Sequence, residues 1–264
     1  MNVQDSEGIG DPTGAGSEVR TIAHRGASRD RPENTISAFD EALKQGADAI
    51  ELDLQLSRDG VPVVYHDRTL ARAGGGRRRV ARLDLRQLRQ LDAGSKFAAE
   101  FRGQTIPTLA EVLERYGGRT MLLLEIKARE KDPERLRELV RASVGLIRGY
   151  EVAERVQLLS FDHELLTEAA DLAPGVGRVL NVRPAPELDD ALRARLPGLA
   201  ALSADVRSLT LQYAAAVRGA ECPLLVYTCN SARRVRLALK AGAVGIMSDR
   251  PGWLARGLRT GEIH

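Results

Sequence analysis

Glu51 and Asp53 stand two residues apart in "AIELDLQLSRDGVPVVYHD", the run from Ala49 to Asp67, which otherwise has the apolar character of a buried strand. Side chains two apart on a strand point to one face, so these carboxylates can share a hard cation. An isolated Glu-x-Asp also fits an outward pair on a sheet rim. A second strand candidate, "LLLEIKA", repeats the pattern with Glu125 and Lys127, and two strands delivering charged groups to one place read as a site. "AHRGAS" adds His24 and Arg25 after another strand, and "VPVVYHD" ends on His66. Histidine exchanges a proton near neutral pH, and a guanidinium offers a fork that fits phosphate oxygens. Three carboxylates without a neighbouring cysteine favour magnesium or calcium over structural zinc. Charge neutralisation on oxygen, a proton acceptor and a proton donor are the parts of a metal-assisted phosphoester hydrolysis.

Elements must hold these residues at strand ends. Short β-rich runs alternate with segments of helical period, the order of a parallel sheet with crossover helices. About eight units are readable, with strand candidates "VRTIAHRG", "ADAIELDLQLS", "TMLLLEIKA", "RVQLLSF", "VGRVLNV", "LAALSADV", "PLLVYTCN" and "VGIMSD", and "VPVVYH" beyond an Asp-Gly turn after the second. "TISAFDEALKQGA" places Ile36, Phe39, Ala42 and Leu43 on one stripe, and "PERLRELVRASVGLIRGY" does so with Leu136, Leu139, Val140, Val144 and Ile147. Asp132 before Pro133 and Ser231 before "ARRVRLALKAG" are predicted caps, with Gly242 at the far end of the latter helix. Acids at the carboxyl ends of such strands describe the active face of a (β/α)8 barrel. Residues 68–104 break the alternation and carry a short helix signal in "DLRQLRQL"; they are read as a small insertion after the second strand, packed over one barrel rim.

Composition bounds the alternatives. The 264 residues suit one α/β barrel domain over 19–264 behind a Gly-rich, acidic, flexible leader at 1–18. Thirty-nine Lys+Arg against 36 Asp+Glu leave +3, and aromatics are 4%, so neither a strong basic field nor a stacking platform points to nucleic acid. No run approaches the ~18 apolar residues of a membrane span. The leader lacks the order of a signal peptide, so a cytoplasmic location is expected. Cys222 and Cys229 flank one strand candidate, roughly 23 Å apart if extended. They cannot bridge in that form, which suits a reducing compartment and buried thiols.

Taken in order, "HRGASRDRPENTISAFDEALKQGADAIELDLQLSRDGVPVVYHDRTLAR", "LDLRQLRQLDAG", "IPTLAEVL", "LLLEIK", "VYTCN" and "GIMSDRP" resemble the glycerophosphodiester phosphodiesterase family of TIM-barrel enzymes, from about Ile22 to Pro251. The resemblance implies that His24 and His66 are the general acid and base, in either order. It implies that Glu51, Asp53 and Glu125 hold Mg2+ or Ca2+, and that Arg25 and Lys127 bind the phosphate. Glu33 of "PENT" falls where the family keeps an acid near the site, although a helix-entry residue favoured by the dipole explains it equally. The family often has Trp in the pattern that reads "VYTCN", so Tyr227 stands at a substrate contact. Arg77, Arg78 and Arg79 are more basic than the family's usual turn; a solvated loop is the plainer reading, with peripheral contact at a membrane surface left open. Asp249 in "SDRP" reads as a cap for the last helix.

The expectation is hydrolysis of a small-molecule glycerophosphodiester to glycerol 3-phosphate and an alcohol. The attacking group is water or, by the family's route through a cyclic phosphate, the neighbouring glycerol hydroxyl. Alternatives are lysophospholipase D activity, which needs an apolar entrance, a barrel that binds phosphate ligands without turnover, and a metal-dependent lyase or aldolase. The alcohol and the oligomeric state are not fixed by the sequence.

Overall fold

The computed structural model describes residues 19–127, 132–182 and 198–263; the leader expected at 1–18 lies outside the described residues. Nine strands form one sheet: β1 (Arg20–His24), β2 (Ala49–Leu56), β3 (Pro62–Val64), β4 (Met121–Ile126), β5 (Val156–Ser160), β6 (Gly177–Val182), β7 (Ala201–Asp205), β8 (Leu224–Tyr227) and β9 (Gly245–Ser248). Their order is β1-β9-β8-β7-β6-β5-β4-β2-β3, and a further pairing of β1 with β2 closes the parallel strands into a barrel. Only β3 is antiparallel, paired to the end of β2 from Leu54↔Val64 to Leu56↔Pro62. The expected (β/α)8 barrel is therefore the observed one, and each of the eight strand candidates is a barrel strand.

Helices α1 (Ile36–Lys44), α2 (Leu85–Leu88), α3 (Leu109–Tyr116), α4 (Pro133–Gly149), α5 (His163–Leu172), α6 (Leu211–Gly219), α7 (Ala232–Lys240) and α8 (Pro251–Thr260) are described. Local chemistry starts them. Thr35 accepts from the Ala38 amide at α1, Asp84 and Gln87 form a capping box at α2, Thr108 and Glu111 form another at α3, and Asp132 caps α4 ahead of Pro133. Ser231 occupies the cap position of α7 but makes no side-chain cap bond. The predicted stripes face inward: Phe39 and Ala42 of α1, and Leu139, Val140, Val144 and Ile147 of α4, join the main core, with Ile36, Leu43 and Leu136 at its edge.

Strand alternation separates two apolar regions. Leu52, Leu54, Leu122 and Leu124 point outward into the layer beneath the helices. Ile22, Ala49, Leu123, Leu159, Val179, Ala201, Leu225 and Met247 fill the barrel interior. These inner residues plug the tube, so polar inner positions further along the same strands open only at the carboxyl ends. The insertion has its own small core, in which Leu70, Val80, Leu83, Leu88 and Ile106 pack on Val63 and Tyr65. Of the three arginines expected on a solvated loop, Arg77 and Arg78 are exposed and Arg79 is half-buried.

Candidate active site

Register brings the charged residues to one level. Opposite Cα partners are His24↔Glu51 across β1–β2 and Asp53↔Glu125 across β2–β4. Beyond β1 the chain turns sharply: Arg25 has φ 59° and Gly26 φ 81°. A Cβ on Gly26 would lie 2.7 Å from the backbone carbon of Ala38, so α1 can approach only because that atom is missing. The strained Arg25 backbone is held by its N–H, which donates to the Glu51 carbonyl at 2.9 Å and the Glu51 carboxylate at 3.0 Å.

Asp53 is the electrostatic hub. Lys127 Nζ lies 2.9 Å from Oδ1 and Arg25 Nε 3.1 Å from Oδ2, while Asn34 Nδ2 donates to Oδ2 at 2.7 Å. Burial opposes its charge, but Lys127 and Arg25 outweigh burial and hold its pKa well below the carboxylate range. Lys127 also reaches Glu125 Oε2 at 2.7 Å. Glu51 is the opposite case: buried, it has no ion pair within 4.0 Å except His24 Nε2 at 4.0 Å, among the described residues. Burial, then the charge of Asp53, push it up to about 7. Burial raises Glu125 as well.

Each histidine has its own carboxylate. His24 Nδ1 lies 2.6 Å from Asp249 Oδ1, and His66 Nδ1 lies 2.9 Å from Asp67 Oδ1. Burial works against a charge on His24, yet the Asp249 hydrogen bond and the nearby Glu51 leave its pKa above the ordinary value. His66 is lowered, chiefly by burial, with Arg25 and Lys127 adding to it. Asp249 is fixed in turn by Asn230 Nδ2 at 2.6 Å and Ser28 Oγ at 3.2 Å. The expectation that Asp249 caps the last helix is corrected: Arg250 is the cap residue of α8, and Asp249 orients a histidine. Glu33 is drawn to the site by charge, bridging Arg25 Nη1 at 3.2 Å and Arg72 Nη1 at 3.3 Å. Gln55 Nε2 donates to the carbonyls of Tyr65 and Asp67, tying the His66 loop to β2.

These groups border a cavity of about 570 Å3 that includes His24, Arg25, Glu51, His66, Glu125 and Lys127 on one side and reaches Tyr227 on the other. All nine site residues read from the sequence thus gather at the carboxyl mouth, Asp53 beneath the cavity floor and Glu33 behind Arg25. Asn34, Asp67 and Asn230 were missed, and Asp249 was misread. Each is a polar residue just past a strand or before a helix at the same barrel end, and that position is the signal that could have found them. Carboxylate oxygens of Glu51, Asp53 and Glu125 lie within 4.8 Å of one another, and among the described residues the only ion-pair partner of Glu51 is His24, at 4.0 Å. An oxygen-only cluster with that deficit fits a hard divalent ion.

Fold and site define a (β/α)8 barrel that brings an acidic cluster, two carboxylate-oriented histidines and two cations to one cavity. The model of the glycerophosphoryl diester phosphodiesterase family matches residues 24–253. A glycerophosphodiester phosphodiesterase of Bacillus subtilis (strain 168) is 30% identical over 246 residues, 88% of this chain and 84% of that protein. One from Caldanaerobacter subterraneus subsp. tengcongensis is 44% identical over 155 residues, 58% of this chain and 62% of its own length. The structure of an Oleispira antarctica phosphodiesterase in complex with the product sn-glycerol-3-phosphate superposes with a TM-score of 0.81 at 30% identity, covering 92% of this chain and 97% of that one. The chain belongs to the glycerophosphoryl diester phosphodiesterase family.

Proposed function

We propose that this protein is a metal-dependent glycerophosphodiester phosphodiesterase, releasing glycerol 3-phosphate and an alcohol. The observation that carries the reading is a pair of histidines, each oriented through Nδ1 by its own carboxylate, on the same cavity as a buried acidic cluster. Glu51, Asp53 and Glu125 would hold Mg2+ or Ca2+, which when bound neutralises charge on the phosphoryl oxygens. With Nδ1 committed to a carboxylate, His24 and His66 each turn Nε2 to proton transfer, one taking the proton of the attacking hydroxyl or water and the other protonating the departing alkoxide. Arg25 and Lys127 present cations to the phosphate, Glu33 and Asp53 fix the Arg25 guanidinium, and Tyr227 contacts the alcohol.

The lysophospholipase D alternative needs an apolar path. Leu159, Phe161 and Met247 do line the cavity, but Asn181, Asp205 and Arg207 interleave with them, and a polar alcohol fits better. Among the described residues, no helix is long and apolar enough to cross a membrane. The test is release of glycerol 3-phosphate from glycerophosphocholine, glycerophosphoethanolamine and glycerophosphoglycerol with Mg2+, Ca2+ or EDTA. Turnover that needs metal and falls at least about a hundredfold in His66→Ala is expected; absence of turnover with either ion overturns the proposal.

A further inference from the structure

We propose that the β6–β8 wall of the cavity binds a hydroxyl-rich leaving alcohol, of the glycerol or inositol class, and selects against quaternary ammonium head groups. This rests on the phosphodiesterase reading above and assigns its leaving-group side. Asn181, at the end of β6, lines the cavity, is 4% exposed, and its Oδ1 accepts no hydrogen bond. Buried carboxamides seldom go unmatched, and the broad terminal torsion of Asn lets a modest turn present that oxygen to an incoming hydroxyl. A quaternary ammonium has no N–H or O–H to give it. Ser208 offers a further hydroxyl on the same wall.

The charge of the wall points the same way. Arg234 lines the cavity half-buried, and its guanidinium makes only a long bond, Nη1 to the Thr228 carbonyl at 3.4 Å, with no carboxylate in ion-pair range among the described residues. Asp205 is the wall's carboxylate, but Arg207 occupies both of its oxygens: Nε lies 3.1 Å from Oδ1 and 3.0 Å from Oδ2, and Nη2 2.5 Å from Oδ2. Arg234 helps to lower the Asp205 pKa from a distance, and the wall carries two guanidiniums against one carboxylate, an excess of one positive charge. A guanidinium donates to hydroxyl oxygens and repels an ammonium. Tyr227 and Phe161 could stack on a cation in other surroundings, yet Arg234 shares the cavity with them, and its positive charge opposes a second cation there.

The test compares kcat/KM for glycerophosphoglycerol and glycerophosphoinositol with that for glycerophosphocholine in the full chain with Mg2+ or Ca2+, in wild type, Arg234→Gln and Asn181→Leu. The polyol diesters should lead by about tenfold or more in wild type, the discrimination given by one charge-assisted hydrogen bond. Arg234→Gln should reduce that ratio by about tenfold, mainly through KM for the polyols. Asn181→Leu should reduce it in the same direction and serves where Arg234→Gln does not fold. Turnover with a polyol-to-choline ratio of one or below, or a ratio that neither variant moves, overturns the subsite and leaves the activity standing. No glycerol 3-phosphate from any diester overturns both.

Discussion

Glu51 and Asp53 are chemically alike, two residues apart on one strand, and electrostatically opposite. Asp53 receives Lys127, Arg25 and Asn34; Glu51 receives one backbone amide and lies among other acids. Replacing Glu51 by Gln removes a buried, repelled charge. Glu51→Gln should raise Tm in EDTA by about 2–4 °C, the shift of about 1 kcal/mol in a chain of this size, and abolish metal-dependent turnover. A fall in Tm in EDTA would contradict the electrostatic account. Asp249 acts through His24: it holds the ring at 2.6 Å and favours the imidazolium. Asp249→Asn should lower kcat by about a hundredfold or more. Removing the anion that raises the His24 pKa should also move the corresponding limb of the kcat/KM profile to lower pH. A pure loss of stability would reduce activity at every pH without moving that limb. Asp249 has a depressed pKa of its own, because His24 and Asn230 outweigh burial, so the stability it contributes is present above the unfolded carboxylate value and lost as pH falls through the folded one.

Two turns at the carboxyl ends show how elements carry the site. Gly26 turns the chain out of β1 at a positive φ next to Arg25 and leaves room for α1 to pack close at Ala38. Gly26→Ala should cost about 2 kcal/mol from left-handed strain alone, lowering Tm by about 4–8 °C, with the contact at Ala38 adding to it. Activity should fall more than stability explains, as Arg25 is displaced; kcat measured well below Tm checks this. At the other turn, Cys229 follows β8 and is fully buried, and burial pushes its thiol up to about 12. Cys222, before the same strand, is raised by burial too. Both cysteines are free, as their spacing predicts. Neither should react rapidly with a disulfide reagent at pH 8 until the protein is denatured; a fast thiol in the native chain would contradict this.

The whole barrel makes the acidic cluster possible. Closure through β1–β2 brings His24 beside Glu51, and the apolar plug of Ile22, Leu123, Val179, Leu225 and their neighbours shuts the tube below. Burial and neighbouring carboxylates raise Glu51 and Glu125 in this enclosure, an unfavourable energy that a bound dication would relieve. Saturating Mg2+ or Ca2+, at a hundredfold excess over Kd, should therefore stabilise the fold by about 2.7 kcal/mol, roughly 5–10 °C in Tm. Calorimetry with and without EDTA reads the effect, and an unchanged Tm for wild type would sink the metal assignment.

The strands, the helix stripes and the inward direction of Glu51, Asp53, Glu125 and Lys127 were legible because they follow from local physics. Alternation along a strand and the 3.6-residue period depend only on neighbours a few positions away. The ordered motifs added the family, and with it Glu33 and Tyr227 to the seven candidates already read from residue type and spacing; the fold gathers all nine candidates at one mouth. Partnerships across the closed barrel were not legible. His24 and Asp249 are 225 residues apart, and their 2.6 Å contact exists because β1 pairs with β9. Nor could composition assign opposite electrostatics to Glu51 and Asp53, since a pKa is set by which charges and donors folding places within a few ångströms. Arg234, without a carboxylate in ion-pair range among the described residues, and the unmatched Oδ1 of Asn181 belong to the same class: residue type sets what a group can bond, and tertiary packing alone decides whether the bond is made.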